Sequence, residues 1–143
     1  MKPAILLAML MLTACSGQKK PVQNSDTVLT LVTSDSYSGV ENPKTLIIRD
    51  AESLEKFYAQ INRIRKPGLP VPDIDFSKQM VVVRCSGITE GGAIPNLYLK
   101  RATKTEMVLG LREKEVPGTS SAITTPFSVY RMPVTAKEIV VKV

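Results

Sequence analysis

The stretch Asp50–Lys66, DAESLEKFYAQINRIRK, is the clearest amphipathic segment of this 143-residue chain. Its large apolar residues recur at three- and four-residue spacing, which puts them on one stripe of a helix: Leu54, Phe57, Tyr58, Ile61 and Ile64. Asp50 is a favourable N-cap, and Glu52 adds negative charge to the first turn. Basic residues follow near the other end, and Gly68 stops the helix. The stretch therefore predicts a helix over 50–66 that packs on a core.

Runs of apolar or alternating residues on both sides of this helix predict strands. They cover residues 27–33, 45–49, 79–86, 97–102, 106–112, 124–132 and 138–143. The run Gln79–Ser86, QMVVVRCS, is apolar enough for a central strand, and loops are predicted at 37–43, 87–96 and 115–125. One helix packed with a mainly antiparallel β-sheet or a small β-sandwich indicates the α+β class.

The N-terminus resembles a bacterial lipoprotein signal peptide. Lys2 precedes nine apolar residues, Ala4–Leu12, and the tetrapeptide Leu12-Thr13-Ala14-Cys15 resembles a lipobox, in which cleavage leaves a lipidated cysteine. Nine helical residues span only about 14 Å, roughly half of a bilayer core of about 30 Å, so this segment is too short for a transmembrane anchor. The alternatives are an ordinary signal peptide with an incidental cysteine, or a buried core helix.

This resemblance divides the chain into three parts. We predict a signal peptide over 1–14, a lipidated flexible tether over 15–26 and a single α+β domain over 27–143. Several acyl chains on Cys15, as in lipoproteins, would hold the protein firmly to membrane lipid. Ser16 follows that cysteine in place of an inner-membrane retention Asp, which favours the outer membrane in a cell that has two. The expected location is therefore extracytoplasmic.

The composition removes the usual starting points for catalysis. The chain has no His, which is the commonest general base and metal ligand, and two cysteines of which Cys15 is assigned to lipid. The formal net charge of +6 is scattered among nearby acids, which is typical of a solvated surface and argues against nucleic-acid binding. We therefore predict no enzyme activity, no cofactor and no metal site.

Three groups could carry chemistry, and each has a structural interpretation that we prefer. Cys85 lies in the middle of an apolar strand, where a cysteine usually behaves as a small buried hydrophobe. Asp73 and Asp75 could form an acid pair, but an Asp before Phe76-Ser77 more often sets a turn. Gly91-Gly92 lacks the ending of a phosphate-binding loop and predicts a tight turn with positive φ.

Residues 50–143 resemble the C-terminal domain of the PrcB family, named for an accessory lipoprotein of a bacterial surface protease complex. The residues that carry the resemblance follow the amphipathic helix: Asp75-Phe76-Ser77 before Met80–Val83, then Gly87, Gly91-Gly92, and Thr125-Pro126-Phe127 leading to Val129. The resemblance implies a non-catalytic module that assists the assembly or stability of a secreted or surface protease.

Two other functions remain open. Gly91-Gly92, Asn42-Pro43 and Arg131-Met132-Pro133 resemble the loop motifs of chagasin-like inhibitors of cysteine proteases, although the helix does not belong to that pattern. An envelope hydrolase is the third class.

Loops on a rigid sheet are natural contact surfaces, so we expect a partner protein to bind the loops at 89–96 and 116–125. The residues predicted to contact it are Glu90, Gly91, Gly92, Pro95, Asn96, Pro117, Gly118 and Thr119.

Overall fold

The computed structural model describes residues 28–114 and 121–143. Within these ranges the chain forms one helix and nine strands, which confirms the α+β prediction. In chain order they are β1 Thr30–Asp35, β2 Lys44–Ile48, α1 Ala51–Ile61, β3 Gln79–Cys85, β4 Thr89–Glu90, β5 Ile94–Ala102, β6 Glu106–Lys114, β7 Ile123–Thr124, β8 Phe127–Pro133 and β9 Glu138–Lys142.

The strands form three sheets. A four-stranded antiparallel sheet has the order β1-β8-β3-β2, and a two-stranded ladder joins β4 to β7. The third sheet has the order β5-β6-β9, in which β5 and β6 are antiparallel whereas β6 and β9 are parallel. The predicted central strand is confirmed, because β3 lies between β8 and β2.

The four-stranded sheet is covered on both faces. Val81, Val83 and Cys85 of β3 belong to a core that includes the apolar stripe of α1. Met80 and Val82 belong to a second core shared with the three-stranded sheet. Because successive side chains of a strand point to opposite faces, this alternation puts the helix on one face and the β5-β6-β9 sheet on the other. The fold is therefore a three-layer arrangement of helix, sheet and sheet.

The start of α1 follows the prediction. Asp50 is the N-cap, and its Oδ1 accepts a hydrogen bond from the Ser53 backbone N–H at 2.7 Å. The Ser53 hydroxyl donates to the other carboxylate oxygen at 2.9 Å. Because both bonds favour the ionised form, they lower the pKa of Asp50 below its ordinary value.

The predicted end of the helix at residue 66 is wrong, because α1 ends at Ile61. Asn62 redirects the chain: its side-chain amide donates to the Leu69 carbonyl at 2.8 Å, and its Oδ1 accepts from the Leu69 N–H at 2.8 Å. This two-way bond favours a loop over another helical turn. Ile64 was predicted to belong to the buried stripe, but it is 70% exposed.

The four-stranded sheet has two ends, which we call proximal and distal. At the proximal end Thr30 pairs with Arg131, and this is where the described chain enters the sheet. At the distal end Asp35 and Cys85 both pair with Phe127. The C-terminal end of α1 lies at the distal end, because the segment that follows it contacts Asp35.

The outer face of the three-stranded sheet carries a covered glycine. Gly110 pairs in register with Tyr98, and a Cβ atom at position 110 would lie 2.2 Å from Tyr98 Cζ. The guanidinium carbon of Arg112 lies 4.1 Å from the centre of the Tyr98 ring. The ring therefore lies across the glycine, and the arginine stacks on the ring.

Gly110→Ala is expected to lower the free energy of unfolding by about 1–2 kcal/mol, because the Tyr98 ring must leave this position and its contact with Arg112. Denaturant titration measures the change. In a Tyr98→Ala background the same substitution should cost less, since no ring meets the new methyl group. An equal cost in both backgrounds would contradict the ring position.

Candidate contact surface at the distal end

Exposed apolar side chains gather at the distal end of the molecule. Tyr37 is 39% exposed, Ile88 57% and Ile123 75%. They line a surface cavity of about 240 Å³ together with Gly39 and Glu41 at its rim. Single exposed apolar residues are ordinary, but several around one concavity mark a site of interaction.

A second, smaller cavity lies on the helix side of Tyr37. It has a volume of about 170 Å³ and is lined by Tyr37, Gly39, Gln60, Arg63 and Ile64. Tyr37 therefore borders both concavities. We call the two cavities, with Tyr37, Ile64, Ile88 and Ile123, the distal surface.

Thr125 holds the loop that carries Tyr37. Its Oγ1 accepts hydrogen bonds from the backbone N–H groups of Ser38 and Gly39, each at 3.0 Å. Its own N–H donates to the Ser36 carbonyl at 3.0 Å, and its carbonyl accepts from Ser38 at 2.7 Å. Gly39 has φ of +67°, a conformation that favours glycine. These bonds fix the backbone on both sides of Tyr37.

Arg65 holds the same loop from the helix side. Its Nη1 and Nη2 donate to the two carboxylate oxygens of Asp35 at 3.0 and 2.8 Å, which is a bidentate pair. Nη2 also donates to the Tyr37 carbonyl at 2.6 Å, and Nε donates to the Ile61 carbonyl at 3.1 Å. One side chain thus joins the end of α1, the end of β1 and the Tyr37 loop.

Arg65 also changes the acidity of its partner. Burial raises the pKa of Asp35, but the hydrogen bonds and charge of Arg65, together with the backbone N–H groups of Tyr37 and Ser36, lower it by more, so the net pKa lies below the ordinary value of 3.8. A depressed pKa means that the ionised carboxylate stabilises the fold.

We therefore expect the stability of the wild type relative to Asp35→Asn to depend on pH. The advantage should be complete above pH 3.8, the ordinary pKa, and should vanish as the pH falls through the depressed pKa below it. Denaturant unfolding of both proteins between pH 2 and pH 7 measures this difference. Asp73→Asn is the matched control, because the Asp73 side chain makes no ion pair or hydrogen bond among the residues that the structure describes. An advantage that is the same at every pH would contradict the ion pair.

The two segments predicted to bind a partner, 89–96 and 116–125, do contact each other, because two residues of each form paired strands. Thr89 pairs with Thr124 and Glu90 with Ile123 in the β4-β7 ladder. Gly91 and Gly92 follow β4 with φ of +85° and +63°, which confirms the predicted tight turn. The ladder brings Ile123 and Thr124 beside the first cavity.

The loop prediction was wrong for Pro95 and Asn96, which both lie in β5. Pro95 is buried, and β5 is an edge strand, where the missing N–H of a proline is tolerated. The Asn96 Oδ1 accepts a hydrogen bond from the Tyr130 hydroxyl at 2.8 Å, and that hydroxyl accepts from the Leu97 N–H at 3.1 Å. These residues join two sheets. Cys15 and the predicted contacts Pro117, Gly118 and Thr119 lie outside the described residues.

The groups considered for chemistry occupy structural positions. Cys85 is completely buried, and burial raises the pKa of its thiol. The Asp75 Oδ1 accepts from the Ser77 N–H at 3.1 Å, and its carbonyl accepts from Lys78 and Gln79, which confirms the predicted turn. Among residues 28–114 and 121–143, no group of three or more Cys, Asp or Glu side chains could hold a metal ion.

Sequence reasoning missed Tyr37, Ile64 and Ile88 as parts of a surface. Tyr37 fell in a predicted loop, and Ile64 was assigned to the helix core. The one available signal was a large apolar residue within two positions of a glycine in each of two loops, Tyr37-Ser38-Gly39 and Gly87-Ile88. Neither motif shows by itself that these loops meet.

Comparison of the chain with protein-family models, with curated proteins and with solved structures finds no match. In the part of the chain that the structure describes, no helix has the length and apolar character needed to span a membrane.

Proposed function

We propose that this protein is a membrane-anchored extracytoplasmic lipoprotein whose folded part is a non-catalytic protein-binding module. The observation that carries the proposal is the distal surface, where exposed apolar side chains surround two cavities on a braced loop. Water-exposed apolar area favours association, and a rigid loop loses little conformational entropy when a partner binds.

The size of the cavities favours a protein partner over a small molecule. Small-molecule pockets usually enclose about 300–1,000 Å³. The two cavities here, of about 240 and 170 Å³, suit single side chains better than a whole ligand. Protein interfaces commonly use a few apolar or aromatic anchors that fill pockets of this kind.

The proposed location and partner rest on the sequence. Acylated Cys15 would bind membrane lipid, and the resemblance to the PrcB family supports a secreted or surface protease as the partner. The resemblance consists of short motifs. The identity of the partner as a protease is therefore a separate part of the proposal, and a more specific one than protein binding itself.

Site-specific photocrosslinking tests the contact surface. A photoreactive residue in place of Ile123 should capture a discrete envelope protein in living cells, whereas the same residue in place of Glu55 on α1 should not. Mass spectrometry identifies the captured protein. Equal patterns from both positions would contradict the assignment of the distal surface.

The nature of the captured protein separates the candidate functions. An active protease that co-purifies with this chain supports the accessory role. Stoichiometric block of a cysteine protease supports the inhibitor, although Arg131-Met132-Pro133 lies in β8 at the proximal end, away from Gly91-Gly92. Hydrolysis lost on Asp75→Asn or Cys85→Ala would favour the envelope hydrolase. The anchor has its own test: Cys15→Ala should release the protein from membranes washed at high salt.

A further inference from the structure

Four exposed cations lie on or beside the outer face of the three-stranded sheet: Lys100, Arg101, Arg112 and Lys142. Register and contacts give the side of the sheet for three of them, and Lys100 is the residue of the β-bulge next to Arg101. Leu109 points into the core, so its neighbour Gly110 faces outward together with its strand partners Tyr98 and Lys142. Arg112 contacts the outward Tyr98 ring, and Arg101 pairs with the outward Glu106 at 3.0 Å.

Three of these four cations have no carboxylate partner among the described residues. Lys100 and Lys142 make no ion pair there, and Arg112 contacts an aromatic ring instead of an acid. Among the side chains of this face that the structure describes, the carboxylates Glu106 and Glu138 lie at the start of β6 and β9. The other charged side chains described on this face are therefore cations.

The helix layer carries exposed charges of both signs, so it does not share this character. Its acids lie beside cations: Asp50, Glu52 and Glu55 against Arg49, Lys56, Arg63 and Lys66, with Lys56 paired to Glu52 at 2.6 Å. The unpaired cations therefore distinguish the sheet face, and a cluster of one sign attracts a surface of the opposite charge.

We propose that the outer face of the β5-β6-β9 sheet rests on the anionic phospholipid headgroups of the membrane that holds the anchor. The inference depends on the proposed lipidation of Cys15. Residues 16–27 separate that cysteine from the described domain, and twelve residues reach at most about 40 Å. The anchor therefore keeps the face close to the headgroups, so that weak electrostatic contacts act at high local concentration.

The geometry of Tyr98 favours lipid over nucleic acid as the anionic surface. Proteins bind single strands by stacking bases on open aromatic faces. Here the ring lies across Gly110 and the Arg112 guanidinium stacks on it, so the aromatic side chain is already occupied. What the sheet presents is charge spread over three strands, which suits a surface of many headgroups.

Amine footprinting of the full-length, anchored protein tests this. The protein is reconstituted into vesicles of phosphatidylcholine alone or with about 30% phosphatidylglycerol, where each cation near the surface adds attraction. In the anionic vesicles the labelling of Lys100 and Lys142 should be at least about threefold slower and should recover at high salt. Lys56 on the helix layer should label equally in both.

An Arg112→Glu variant should lose the protection of Lys100 and Lys142, whereas Arg63→Glu, on the other side of the molecule, should keep it. Equal labelling in both vesicles, or protection of Lys56 instead, would overturn the proposal. Protection in whole envelopes but not in anionic vesicles would also overturn it, and would point to another acidic polymer. Flotation with neutral vesicles at high salt tests the lipid anchor separately from the sheet face. If the protein does not float, the labelling of Lys100 and Lys142 is measured on protein that is mixed with the vesicles.

Discussion

Replacing Arg65 by methionine is expected to lower the free energy of unfolding by about 2–3 kcal/mol. The side chain is only 18% exposed and its partner Asp35 30% exposed, so the substitution leaves a partly buried carboxylate without its counter-charge. It also removes the donors to the Tyr37 and Ile61 carbonyls. Removing one partner of a fully buried pair costs about 3–5 kcal/mol, and partial exposure reduces that figure.

The effect should extend from stability to the distal surface. Without Arg65 the Tyr37 loop loses its bond to the helix side, so the photocrosslink from position 123 should weaken together with stability. Arg65→Lys keeps the charge but not the two-pronged geometry and should recover only part of the loss. Lys66→Met removes an exposed neighbouring cation and is the matched control. Equal stability of the Arg65→Met and Lys66→Met proteins would show that the bidentate pair contributes nothing.

Thr125→Val is expected to cost about 1–2 kcal/mol and to free the Tyr37 loop. Valine has nearly the same shape but cannot accept the bonds from Ser38 and Gly39, and Thr125 is only 8% exposed. The Ser38 N–H still has the carbonyl of residue 125 as an acceptor, and water can reach the exposed Gly39. The cost is therefore that of two lost hydrogen bonds, each worth about 0.5–1.5 kcal/mol net.

Amide hydrogen exchange distinguishes this effect from a general loss of stability. Exchange at Ser38 and Gly39 should accelerate in Thr125→Val more than exchange in β3, which lies in the centre of the sheet. Thr125→Ser keeps the hydroxyl and should retain most of the protection. Equal acceleration in the valine and serine variants would show that the hydroxyl does not hold the loop.

The elements that were predicted best are those that form through interactions between residues close together in the sequence. The N-cap at Asp50, the apolar run of β3, the Asp75 turn and the turn at Gly91-Gly92 each depend on residues a few positions apart. These elements could be predicted because the residues that form the sequence pattern are the same residues that make the stabilising contacts.

The distal surface could not be predicted in this way, because its cause is not local. Thr125 and Ser38 are 87 residues apart, and Arg65 and Asp35 are 30 residues apart. The errors have the same origin. Pro95 was assigned to a loop because the sequence does not show that β5 is an edge strand, where a proline is tolerated. The helix ends at Ile61 because the Asn62 side chain bonds to the Leu69 backbone. Sheet order and side-chain capping decide these points.

The chain enters the four-stranded sheet beside Arg131, at the end opposite to Tyr37. Under the proposed anchoring, residues 16–27 would set the distance between the domain and the bilayer, whereas the distal surface would select the partner. The two properties would then depend on separate stretches of the chain. The length of residues 16–27 could therefore be changed without altering a residue of the distal surface.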